Sequence, residues 1–153
     1  MGRRERAAAR LAAVQALYQM DVAAKGLNDI FAEFESFWMG QNVEGDQYEQ
    51  ADAKMFRAIV QGVLDDQRAI DRITDAALSA KWPLKRVEAV MRAVLRAGTY
   101  ELRSRPDVPA RVVITEYVDV AAAFLAKDET GMINAVLDHV ARDLRAAEFD
   151  ART

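Results

Sequence analysis

Cysteine is absent from the 153 residues, so neither a disulfide framework nor a thiolate metal site can form. Histidine occurs once, as His139 beside Asp138, which would leave any metal site to carboxylates alone. The only serines, Ser36, Ser79 and Ser104, stand in no Gly-x-Ser-x-Gly turn, and there is no glycine-rich phosphate loop. Catalysis and a bound cofactor are therefore not expected. Long apolar runs are also missing: nothing approaches the 18 or so residues that cross a bilayer, and no secretion signal opens the chain. The absence of cysteine suits a cytoplasmic protein, which is the expectation here. No segment alternates with period two long enough to suggest a strand.

What is present is charge and helical periodicity. Hydrophobic residues make up 52% and charged residues 29%, which suits one globular domain over 1–153. Net charge is −3, but residues 1–10 hold Arg3, Arg4, Arg6 and Arg10 against Glu5, leaving −6 on the other 143 residues. A basic end on an acidic body suits a confined polyanion site, and equally a solvated terminus.

About seven helices can be read. The first, 4–24, is alanine-rich and presents Leu11, Val14, Leu17 and Tyr18. Its arginines at 3, 6 and 10 share the azimuth of Val14 and Leu17, so the first two turns are expected to project beyond the body, frayed until an anion arrives. Gly26 is a candidate C-cap and Asn28 a candidate N-cap for a helix over 29–39 with an aromatic face of Phe31, Phe34, Phe37 and Trp38. That face is expected to be core, not a stacking platform for bases. Gly40–Ala51 reads as a loop. Asp52 caps a third helix, a break falls near Asp65 and Asp66, and Trp82-Pro83 closes the run that follows. Further helices are expected at 112–126 and 132–147, with Lys127–Gly131 as a polar turn between them.

The stretch Arg86–Arg103 organises the rest. As a helix it carries one polar stripe, Glu88, Arg92, Arg96, Thr99 and Arg103, and is otherwise apolar or small, which predicts a central, covered helix. Glu101 lies off the stripe. A carboxylate so placed is expected to be partly buried against an arginine, with a functional carboxylate as the sharper alternative.

Several segments together resemble one family, the NusB transcription antitermination factors. They are AVQALY at 13–18 after an arginine-rich start, VMRAVLR at 90–96, YEL at 100–102, Val108-Pro109, Thr115-Glu116, Phe124, and INAVLD at 133–138, in family order. The resemblance implies an all-α fold of two packed three-helix bundles around a long central helix, and no catalysis. It implies binding of the boxA element of ribosomal RNA leader transcripts, as single-stranded RNA, together with NusE, a small-subunit ribosomal protein. RNA polymerase would be engaged only indirectly, no membrane is involved, and a homodimer remains open.

By residue, the resemblance places phosphate contacts on Arg3, Arg4, Arg6 and Arg10, and the rest of the RNA surface on Asp128, Thr130, Met132 and Asn134. It places the NusE-facing side on Tyr18, Glu88, Arg92 and Arg96. This chain departs from the family at three places. Met132 replaces a phenylalanine and cannot stack as a ring does. Ala135 replaces a glycine, and Met91 replaces a partner-facing glutamate, whose charge Glu88 would take over. Two other readings remain: a helical protein–protein adaptor without RNA specificity, and the helical module that precedes the catalytic domain of some RNA cytosine methyltransferases. The latter is set aside on the expectation that no catalytic domain follows Thr153.

Overall fold

Alanine decides how the first helix packs. In the computed structural model, which describes residues 2–40, 52–78 and 87–150, α1 (Arg3–Ala23) buries Ala9, Ala12, Ala13 and Ala16 completely, with Val14 and Leu17 beside them. Small side chains at helical spacing let α1 lie close against its neighbours. Of the larger residues expected on the buried face, Val14 and Leu17 are buried, whereas Leu11 is only half-buried and Tyr18 is 36% exposed. The chain leaves α1 through Ala24, in the left-handed region at φ 55°, two residues before the glycine expected to cap it.

Next come α2 (Leu27–Gly40), α3 (Ala53–Asp65), α4 (Gln67–Ala77), α5 (Ala89–Ser104), α6 (Ala110–Ala122), α7 (Lys127–Leu144) and the short α8 (Ala146–Asp150). There is no strand among the described residues. Asn28 lies inside the first turn of α2 and is not its N-cap. Asp52 does cap α3, its Oδ1 accepting from the Met55 N–H at 3.0 Å. Phe56 of α3 stacks on Phe34 with ring centres 5.4 Å apart and meets the edge of Phe31 at 5.9 Å, which makes this face core. The Gly40–Ala51 loop beyond Gly40, the side chains of Phe37 and Trp38, and the Trp82-Pro83 closure lie outside the described residues.

α1, α2 and α3 pack as one bundle, α5, α6 and α7 as a second, and α5 also packs against α1, α3 and α4. α5 is central but not long: it has 16 residues against 21 for α1 and 18 for α7. Its core residues Val94, Leu95, Ala97 and Leu102 are buried, and each large one contributes about 1.5–3 kcal/mol by leaving water. Two glycines set its approach distances. A Cβ on Gly62 of α3 would run into the Tyr100 ring, and one on Gly98 would stand 2.9 Å from Leu137 of α7.

The middle of the α5 polar stripe is covered, while Glu88 and Arg103 at its ends are exposed. Thr99 is fully buried and accepts from the Thr74 hydroxyl at 3.0 Å. Arg96 makes a two-toothed bond to Asp71, at 2.8 and 3.0 Å, and Arg103 pairs with Asp66 at 3.0 Å. α4 therefore lies along the stripe, its carboxylates and threonine matched to it. No helix among the described residues is long and apolar enough to cross a membrane.

Candidate nucleic-acid interface

The arginine-rich end divides within two turns. α1 is helical from Arg3, so the turns expected to fray are formed: the Glu5 carboxylate accepts the Gly2 N–H at 3.2 Å, and the Glu5 carbonyl accepts the Asp52 N–H at 3.0 Å. Arg3, Arg4 and Arg6 are exposed. Arg10 is 1% exposed, which corrects its assignment to phosphate contact. Its Nε and Nη2 donate to the two oxygens of Glu101 at 2.8 and 3.0 Å, and Nη1 reaches Glu116 at 3.5 Å. The Tyr117 hydroxyl donates to the same Glu101 carboxylate, and the guanidinium sits 6.0 Å from the Tyr117 ring centre. Burial alone would pull the guanidinium below its ordinary value, but the Glu101 hydrogen bond and charge outweigh it and hold Arg10 above. Burial, then the Glu101 charge, pushes the Tyr117 phenol well above its ordinary value. Glu101 is thus the arginine-paired buried carboxylate its place in the sequence suggested. Arginine can share the core azimuth because counter-charges stand opposite it on α5 and α6.

A groove of about 1,000 Å³ runs between α1 and α6. Arg3, Arg4 and Leu11 line it from α1, and Glu116, Asp119 and Val120 line it from α6. The α6 lining ends at Ala123, just before the chain enters α7. The expected polar turn at Lys127–Gly131 is instead the opening of α7, because Glu129 caps it by accepting the Ala126 N–H at 3.1 Å. Asp128 and Asn134 are exposed there, while Asn134 lies two turns in and caps nothing. The Thr130 hydroxyl is occupied by the Lys127 carbonyl at 2.8 Å. Met132 is half-buried against the core.

The residues expected to face a protein partner separate into two clefts. Tyr18 lines an apolar cleft of about 550 Å³ with Phe34, Val90 and Phe124, the last 43% exposed. Arg92 and Arg96 are turned toward α1 and α4: Arg92 holds Asp21 at 2.7 Å and the Val87 carbonyl at 2.8 Å, and Arg96 holds Asp71. Arg96 lines a second cleft with Leu17, Asp21 and Leu64. Glu88 is exposed at the N-cap of α5, whereas Met91 is buried.

Sequence reasoning missed Arg145. It is 9% exposed and donates to the carbonyls of Glu101, Leu102, Arg105 and Val108 at 2.7–3.1 Å. Its partner Glu148, at 2.7 Å, accepts the Ala110 N–H with its other oxygen at 2.9 Å. One arginine thus satisfies the Leu102 carbonyl, shares those of Glu101 and Arg105 with main-chain N–H donors, and ties the end of α5, through Glu148, to the start of α6. No periodicity marks such a residue; only its spacing after the last helix hints at it.

The geometry agrees with what the chain is similar to. The family model described as "NusB family" matches residues 7–142. The "Transcription antitermination protein NusB" of Bradyrhizobium diazoefficiens is 64% identical over 144 residues, covering 94% of this chain and 87% of that one. A solved structure of T. maritima NusB superposes with a TM-score of 0.72 at 28% identity, covering 95% of this chain and 96% of that chain. A second, NusB in "Antitermination Factors NusB and NusE in complex with dsRNA", gives a TM-score of 0.72 at 22% identity over 93% of this chain and 99% of that one, which speaks to the fold alone.

Proposed function

The chain belongs to the NusB family, and from that premise we propose that it is a transcription antitermination factor that binds boxA RNA of ribosomal RNA leader transcripts together with NusE. It works by binding and not by catalysis. The observation that carries the reading is the 64% identity to an antitermination protein over nearly the whole chain. The complex would help RNA polymerase pass terminators in the cytoplasm, with the chain acting as one helical domain.

Within it, Arg3, Arg4 and Arg6 supply phosphate contacts, and Asp128, exposed in the first turn of α7, and Asn134, exposed two turns in, meet base edges. Thr130 and Met132 stand beside them in supporting places. Tyr18 and Phe124 offer NusE an apolar cleft, with Glu88 as the nearby charge on α5. Arg92 and Arg96 contribute to that surface by fixing α1 and α4 against α5.

Binding of a short boxA-like RNA, measured with and without NusE and as single or double strand, tests the reading. Sequence-selective binding of the single strand that NusE tightens is expected. Binding indifferent to sequence and to NusE would overturn it.

A further inference from the structure

The groove between α1 and α6 contains a carboxylate that the fold leaves half used. Glu101 has both oxygens bonded, to Arg10 and Tyr117. Glu116, only 8% exposed, reaches Arg10 with one oxygen at 3.5 Å, and its other oxygen accepts no hydrogen bond among the described residues. A nearly buried carboxylate oxygen without a donor is costly unless something supplies one. Glu116 lines the groove, and Asp119, one turn along α6, is exposed beside it.

Three kinds of surface line the groove. Arg3 and Arg4 bring positive charge to the end where α1 begins, and the helix N-terminus adds its own. Leu11 and Val120 give apolar surface. The two carboxylates line it from α6. An unpaired nucleotide presents the complementary set: a phosphate, a flat apolar face, and an edge of N–H donors. Among the bases, guanine alone places two donors, N1–H and the N2 amine, side by side on its Watson–Crick edge, which matches a carboxylate. Guanine's O6 acceptor lies to one side of that pair, whereas in adenine, cytosine and uracil every donor on the edge has an acceptor next to it, so none offers a carboxylate two adjacent donors.

We propose that this groove seats one unpaired guanine of the bound RNA, with its Watson–Crick edge on Glu116 and Asp119 and its phosphate toward Arg3 and Arg4. The proposal rests on the RNA-binding reading above and adds a base preference to it. A basic peptide segment would satisfy the carboxylates, but the arginines lining the groove oppose it.

The test uses the full chain with NusE and a short single-stranded RNA holding one guanine, compared with the same RNA carrying inosine, which lacks the N2 amine, or adenine. Wild type is expected to lose about tenfold in affinity on guanine-to-inosine replacement and at least as much with adenine. Glu116→Gln should remove most of that preference. Because this variant touches the Arg10 cluster, Asp119→Asn, an exposed position with no bond to Arg10 among the described residues, serves as the second variant and should narrow the preference to about threefold by the same physics. RNA binding with no preference for guanine, or a preference unchanged in both variants, overturns this assignment and leaves the RNA reading standing. No RNA binding by wild type overturns both. Stronger competition by an arginine-rich peptide, lost in the same variants, would reassign the groove to a protein segment.

Discussion

Arg6 and Arg10 stand one turn apart on the same face of α1, yet Arg6 is exposed and Arg10 is 1% exposed. Nothing in the helix distinguishes them; the difference lies opposite. Opposite Arg10, two turns into α1, stand Glu101 on α5 and Glu116 with Tyr117 on α6. One arginine is therefore part of the core and the other part of the surface that RNA would meet. Arg145 is a second buried arginine, held mainly by main-chain carbonyls. An arginine-rich stretch is not one functional unit, and its members fail in different ways when removed.

Removing Arg10 should break the comparison most severely. Arg10→Ala strands a buried carboxylate and is expected to cost about 3–5 kcal/mol, read as a lower denaturation midpoint with an unchanged slope. Arg145→Ala leaves the Leu102 and Val108 carbonyls without a donor among the described residues and should cost about 2–4 kcal/mol. Its amide-exchange protection should fall first at 101–113, whereas Arg10→Ala should loosen the contact between α1 and α6. Tyr117→Phe removes one hydrogen bond to a charged acceptor, worth about 1.5–3 kcal/mol.

Tyr117 also carries a pH signature. Its folded-state pKa lies well above the unfolded value, so its stabilisation is full below pH of about 10 and is lost as pH rises through the folded value. An alkaline melting series should show this decline in wild type, with less of it in Tyr117→Phe. The surface arginines sit at the small end for stability: Arg6→Ala should shift it by no more than about 0.5 kcal/mol. On single-stranded RNA the log–log salt slope should become shallower by about 0.7 for that variant.

Much of the architecture was legible because helical periodicity writes burial directly into spacing. The α3 cap at Asp52, the break between α3 and α4, and the central place of α5 all follow from local pattern. The pairing of Glu101 with an arginine was readable as a type of contact, because a carboxylate on an apolar face needs a cation, though not which one. Which arginine it would be depends on residues 91 positions apart, and no local pattern holds that. The same limit applies to Arg145, whose acceptors are main-chain carbonyls and leave no mark in side-chain pattern. α7 starts earlier than read because Glu129 caps it from inside the supposed turn. The stripe on α5 was visible, but not that α4 would meet it with Asp71 and Thr74. In the candidate site, exposed arginines were readable from composition, while Glu116 stood in a recognisable pair with Thr115 without any sign that it would line a groove.

The division between a core arginine and surface arginines is tested most directly by melting temperature and RNA affinity measured on the same samples of Arg6→Ala and Arg10→Ala. The expected result is opposite losses. Arg6→Ala should melt like wild type and bind RNA more weakly with a shallower salt slope, and Arg10→Ala should melt much lower while its folded fraction keeps the wild-type slope. An Arg10→Ala protein that melts like wild type and shows the shallower slope would contradict this, and would return Arg10 to the RNA surface.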